Sequence, residues 1–83
     1  MRYWLRIEVS LKAGHSDPEG ETTANLLKEL GYRVGSVNVS KLYAVALEAQ
    51  SKNEAKNKAE EMCNRLLANP TKDDYAITIE ERE

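Results

Sequence analysis

In the opening stretch, RYWLRIEVSLK, Tyr3, Leu5, Ile7, Val9 and Leu11 fall on one side of an extended chain while Arg6, Glu8, Ser10 and Lys12 fall on the other. Alternation at period two predicts a strand with one buried face. AGHSDPEG interrupts it, and Asp17 followed by Pro18 has the chemistry of a helix N-cap and first helical position. The helix predicted there carries Ala24, Leu27 and Leu30 at helical spacing, with Leu26 beside them, and ends at Gly31, a residue type that accepts the left-handed cap. Val34, Val37 and Val39 predict a short second strand, and SKLYAVALEA a third, with Tyr43, Val45, Leu47 and Ala49 on one face. These two strands are expected to pair as a hairpin turning near Ser40 and Lys41. Ser51 with Glu54 forms a capping-box pattern, and Ala55, Ala59, Met62, Cys63 and Leu66 make one apolar stripe of a second helix. Pro70 disfavours helical geometry at Asn69 and stops this helix, and Tyr75, Ile77 and Ile79 line one face of a last strand.

The predicted order is β-α-β-β-α-β. Two β-α-β halves with short links imply an α+β fold of ferredoxin-like type: an antiparallel four-stranded sheet with two helices on one face, the first and third strands central. No linker or low-complexity segment divides the chain, so residues 1–83 are expected to form one domain.

Composition removes several classes of function. Twelve basic and fourteen acidic residues give a formal charge of −2, with no electrostatic reason to seek nucleic acid or an anionic membrane. No apolar run approaches the roughly 18 residues of a membrane span, and Met1 leads directly into an alternating strand, so the chain is expected to be cytoplasmic and complete. The single cysteine, Cys63, lies on the apolar stripe of the second helix, and the single histidine, His15, in a loop far from it in sequence. Neither a disulfide, a metal site nor a nucleophile with its base is implied, and no cofactor is expected. The carboxylates of AEEM and IEERE fall on a solvated helix face and a strand end, where Glu54 with Lys58 and Glu61 with Arg65 are ordinary helix-surface pairs.

The sheet face opposite the helices is more informative. It is expected to carry Trp4 from the first strand and Leu42, Ala44 and Ala46 from the third, with Ala76 nearby. A tryptophan ringed by alanines leaves room for a flat partner surface, so sheet-on-sheet association, at least a dimer, is expected there. Three other readings share this element order. An RNA-recognition module needs stacking aromatics on one face, but Trp4 and Tyr43 fall on opposite faces. An acylphosphatase-like enzyme needs a loop arginine for phosphate, and AGHSDPEG has none. A small-molecule-binding regulatory domain requires no motif and is the principal alternative.

EEMCNRLLANPTKDDYAITIEE, with SLKAGHSDPEG, LKELGYRVGSVNVSK and EAQSKNEA, resembles the PurS family, small subunits of phosphoribosylformylglycinamidine synthase. The diagnostic junction is Leu66 to Pro70 followed by Asp74-Tyr75, supported by Asp17-Pro18-x-Gly20 and Gly31-Tyr32. The resemblance implies a non-catalytic component of the fourth step of purine biosynthesis, in which FGAR, ATP and glutamine yield FGAM. It also implies assembly with a glutaminase subunit and an ATP-dependent synthetase subunit, and assistance in ammonia transfer. Lys41 matches the family and, with Tyr75 at the start of the last strand, is an expected partner contact. Ala13, Asn38 and Ser40 depart from the usual pattern, in which Lys-Pro-Gly and Arg-x-Gly runs are common.

Overall fold

The computed structural model describes residues 1–82. Its elements are a strand β1 (Arg2–Leu11), a helix α1 (Pro18–Glu29), a strand β2 (Lys41–Glu48), a helix α2 (Lys52–Met62) continued by a π-helical turn (Cys63–Leu67), and a strand β3 (Asp73–Arg82). The sheet is antiparallel, in the order β2-β1-β3. Tyr3, Leu5, Ile7 and Val9 of the central strand are buried, as the alternation required, and pack with Ala55, Ala59 and Cys63 of the second helix. The small side chains on α2 let the helix lie close over β1 and β3. Ser51 accepts a hydrogen bond from the Glu54 amide at 3.1 Å and caps it.

The junction after α2 departs from a plain helix end. The Ala68 amide donates to the Cys63 carbonyl at 2.9 Å, five residues back, so the turn holds one residue more than an α-helical one. The extra residue rotates the side chains beyond it: Leu66, expected on the apolar stripe, is 84% exposed, and Ala68 is buried in its stead. An Asx turn then redirects the chain. The Asn69 side-chain oxygen accepts from the Thr71 amide at 2.9 Å, and the Asp73 carboxylate accepts from the Asn69 amide at 2.8 Å. The Lys12 amide donates to the Lys72 carbonyl at 2.7 Å, which aligns β3 with the end of β1.

The four-stranded expectation is corrected here. Val34, Val37 and Val39 form no strand among the described residues, and the hairpin at Ser40 and Lys41 is absent. β1 is central, but β2, the expected third strand, is an edge. The valine segment is bonded elsewhere: the Val39 amide donates to Asp17 Oδ2 at 2.8 Å, while Oδ1 of the same carboxylate accepts from the Gly20 amide at 2.9 Å. Gly20 is buried so closely that a Cβ there would collide with the Val37 carbonyl oxygen. α1 and residues 32–39 are thereby tied into one arm.

At the far end of α1, Gly31 has φ +96°, and the Gly31 and Tyr32 amides donate to the carbonyls of Lys28 and Leu27 at 3.0 and 3.1 Å. This is a Schellman cap, which a residue with a Cβ adopts only under strain. The arm stands off the sheet. No residue of α1 belongs to the core cluster, and Leu26 and Leu30 are exposed. Only α2 covers the sheet, so the expectation of two helices packed on one face is corrected as well. The chain measures 50 × 29 × 14 Å with a radius of gyration of 16.2 Å, against about 12 Å for a compact domain of this length.

Two predictions test the arm. Gly20→Ala should lower stability in urea denaturation by about 1–3 kcal/mol, because backbone must move to admit the methyl group. The two amide bonds, that from Val39 first, hold the Asp17 carboxyl below its ordinary value of 3.8. A depressed carboxyl contributes stability that is complete above the unfolded value and is lost as pH falls through the folded one. Hydrogen-exchange protection of the Val39 amide, corrected for intrinsic rate, should therefore be constant at neutral pH and collapse only below the ordinary carboxyl range; in Asp17→Ala it should be weak at every pH.

Candidate functional site

The register divides the six expected interface residues between two surfaces. Trp4 sits opposite Ala46 and Glu80, Arg6 opposite Ala44 and Thr78, and Glu8 opposite Leu42 and Ala76. Trp4, Leu42, Ala44 and Ala46 thus share the face away from α2, as the alternation required. That face is less uniformly apolar than the strand patterns suggested, because Arg6 and Glu8 stand between β2 and β3. Its apolar strip runs along β2, with the half-buried indole of Trp4 beside it. At one end the Arg2 guanidinium donates to Glu48 at 3.2 Å, and at the other the Ser40 hydroxyl donates to Glu8 at 3.2 Å. One ion pair and one hydroxyl-carboxylate bond thus border an apolar strip, the composition of an interface rim around its centre.

Lys41 and Tyr75 lie elsewhere. Both sit opposite Val9, one on each side, and so belong to the side of the sheet that α2 covers, near the end it leaves bare. Lys41 forms part of the wall of an open cleft of about 260 Å³ with Val9, Asp17, Val39 and Leu67. The base of the arm, the start of β2 and the turn before β3 therefore meet at one end of the sheet. Sequence patterning missed this grouping, because the bond between Asp17 and Val39 joins residues 22 apart with no motif between them. Tyr43 lies on the α2 side, opposite Ile7, so Trp4 and Tyr43 do occupy opposite faces.

A third surface was not anticipated. The outward turn of Leu66 opens an apolar groove of about 350 Å³ lined by Val45, Met62, Leu66 and Leu67, with Glu61 and Arg65 at its margins. The only sequence signal for it was the surplus of leucines in NRLLANP, more than one stripe can hold.

The groups capable of covalent chemistry are not grouped. Cys63 is fully buried, and burial, with the Glu60 charge adding, pushes its thiol up, away from the nucleophilic thiolate. His15 is exposed in the loop after β1. Among the described residues, no set of three or more His, Cys, Asp or Glu side chains is placed to hold a metal ion, and no helix is long and apolar enough to cross a membrane.

Comparison with known proteins agrees with this surface-rich geometry. Residues 5–81 match the PurS family, described as phosphoribosylformylglycinamidine (FGAM) synthase. The phosphoribosylformylglycinamidine synthase subunit PurS of Archaeoglobus fulgidus is 42% identical over 76 residues, 90% of this chain and 95% of that protein. The structure of Thermus thermophilus PurS superposes with a TM-score of 0.90 at 36% identity, covering 100% of both chains. A chain in the structure of PurLQS from Thermotoga maritima superposes with a TM-score of 0.88 at 28% identity, covering 95% of this chain and 98% of that one. With the family pattern spanning nearly all of its strands and helices, this chain belongs to the PurS family of FGAM synthase subunits.

Proposed function

We propose that the chain is the non-catalytic coupling subunit of a cytoplasmic phosphoribosylformylglycinamidine synthase, joining a glutaminase subunit to an ATP-dependent synthetase subunit and assisting ammonia transfer. The observation that carries this is the likeness, over nearly the whole chain, to a component of PurLQS. Surface chemistry supports it: three separate surface features, the Trp4 face, the end bearing Lys41 and Tyr75, and the Leu66 groove, surround a core with no assembled reaction centre among the described residues. The four-stranded ferredoxin-like layer belongs, on this proposal, to the assembled state, since one chain supplies three of its strands.

The Trp4, Leu42, Ala44 and Ala46 strip takes a flat surface of another chain of the assembly. Lys41 and Tyr75, at the end where the arm and sheet meet, contact a large subunit through charge and an exposed ring. A point charge on such a rim governs encounter and register more than fold stability.

Adding the chain to the glutaminase and synthetase subunits should raise glutamine-dependent synthesis strongly and ammonium-dependent synthesis much less, because free ammonia bypasses the coupling of two sites. Paired assays with the two nitrogen donors check this, and equal stimulation would indicate a direct effect on the synthetase centre. Lys41→Glu and Trp4→Ser should each weaken the ternary complex in sedimentation, and Lys41→Glu should leave the thermal midpoint of the isolated chain nearly unchanged. A complex of undiminished affinity would remove the altered residue from the interface.

A further inference from the structure

The outer edge of β3 carries a defined set of backbone groups. Leu11 faces Asp73 in the antiparallel register, and the Lys12 amide donates to the Lys72 carbonyl at 2.7 Å, so the closely bonded pairs fall on the even-numbered residues of β3. The amides and carbonyls of Asp74, Ala76 and Thr78 therefore turn to β1, and those of Tyr75, Ile77 and Ile79 turn outward. Asp73 follows the same alternation: its amide points away from β1 and donates to the Asn69 carbonyl at 2.8 Å. Among the described residues no strand pairs with this edge. Edge strands normally carry a charge, a proline or a bulge that blocks further pairing. The stretch YAITI, Tyr75 to Ile79, has none of these, and its register with β1 is unbroken. α2 stands over the edge: Lys52, Lys56 and Glu60, spaced four apart on one side of the helix, line an open cleft of about 500 Å³ with Ile77, Thr78 and Ile79. Both lysines are exposed, and neither forms an ion pair among the described residues.

We propose that the β3 edge receives an extended acidic segment of a different polypeptide, which adds as a strand beside Tyr75–Ile79 with its carboxylates under Lys52 and Lys56. Main-chain bonds to Tyr75, Ile77 and Ile79 give such a segment its affinity, and the two lysines select its sequence. Side chains of an added strand alternate between the two faces of the sheet, so every second residue of the segment lies on the α2 side and is acidic, while those between lie beside Ala76 and Thr78 and are apolar. Charge selects this occupant over a second copy. Pairing β3 with itself about a two-fold at Ile77 uses the whole uncharged stretch, but it sets Asp73 and Asp74 against Glu81 and Glu80 of the other copy. Like charges directly opposite each other destabilise a sheet. The inference rests on the proposal that the chain works inside a multi-subunit assembly, and it names the chemistry of one partner segment there.

The test uses the full chain and a short blocked peptide alternating valine and glutamate, with a valine-lysine counterpart and a copy of the glutamate peptide N-methylated along its bonding edge. In hydrogen exchange of the chain alone, the amides of Tyr75, Ile77 and Ile79 should exchange fast and those of Ala76 and Thr78 slowly. Saturating glutamate peptide should slow the first three at least about tenfold and leave the other two unchanged, and the N-methylated copy should protect none. In fluorescence polarisation, the double variant Lys52→Glu with Lys56→Glu, both at exposed helix positions, should lose affinity for the glutamate peptide and gain it for the lysine peptide, each at least about tenfold. Binding that leaves the three amides fast, or no binding at about millimolar peptide, overturns the inference. Protection that appears without peptide and grows with chain concentration makes a second copy the occupant and overturns it as well. Peptide protection as expected, together with equal stimulation by this chain of glutamine- and ammonium-dependent synthesis, sustains the edge site and overturns the coupling role alone.

Discussion

The packing of β1 under α2 is the contact on which the rest of the molecule hangs. β1 is the central strand, with a neighbour on each side, and four of its side chains, Tyr3, Leu5, Ile7 and Val9, are buried under a helix that offers alanines and a cysteine. Burial of apolar side chains is worth about 1.5–3 kcal/mol each for the larger ones, so this small interface is the main source of cohesion in a chain too short to enclose more. The outer strands borrow their order from it: β2 and β3 pair with β1 and not with each other.

Because one helix covers a three-stranded sheet, much apolar surface is left over, and the molecule deals with it by separation. The Trp4 strip lies on one face, the Leu66 groove on the other, and Lys41 and Tyr75 at the tip where arm and sheet join. A subunit that contacts more than one partner in a complex is served by this arrangement. Its partners must be held at the same time, so their contact surfaces cannot overlap, and a thin body of 14 Å smallest extent puts two faces close together in space. The small core leaves apolar surface on the outside, and surface left unburied in one chain is available to another.

Two polar clasps convert this open body into a defined shape. Asp17 caps α1 and also holds Val39, 22 residues away, so a local helix signal is reused as a tertiary tie. Asn69 and Asp73 bond each other's neighbourhood across the Pro70 turn, and Lys12 adds an ion pair to Asp74 at 3.2 Å. The last strand consequently starts at a fixed place. An exposed ion pair contributes little energy by itself, and the backbone bonds to the side-chain oxygens supply most of the definition.

Local chemistry alone determined the strands β1, β2 and β3, the Asp17 and Ser51 helix starts and the Gly31 stop, because periodicity, capping and turn residues act over a few positions and leave their mark in the order of residues. The side of each strand was legible for the same reason: alternation at period two put Trp4, Leu42, Ala44 and Ala46 on one face before any partner strand was known. Tertiary structure decided the rest. Residues 34–39 had strand-like composition, yet the Val39 amide is bonded to the Asp17 carboxylate and Val37 lies against Gly20. Leu66 had helical spacing, yet one extra residue in the turn after Met62 rotated it into solvent. Whether α1 lay on the sheet or off it depended on the balance of burial between distant segments, and such a balance has no signature in the spacing of neighbouring residues.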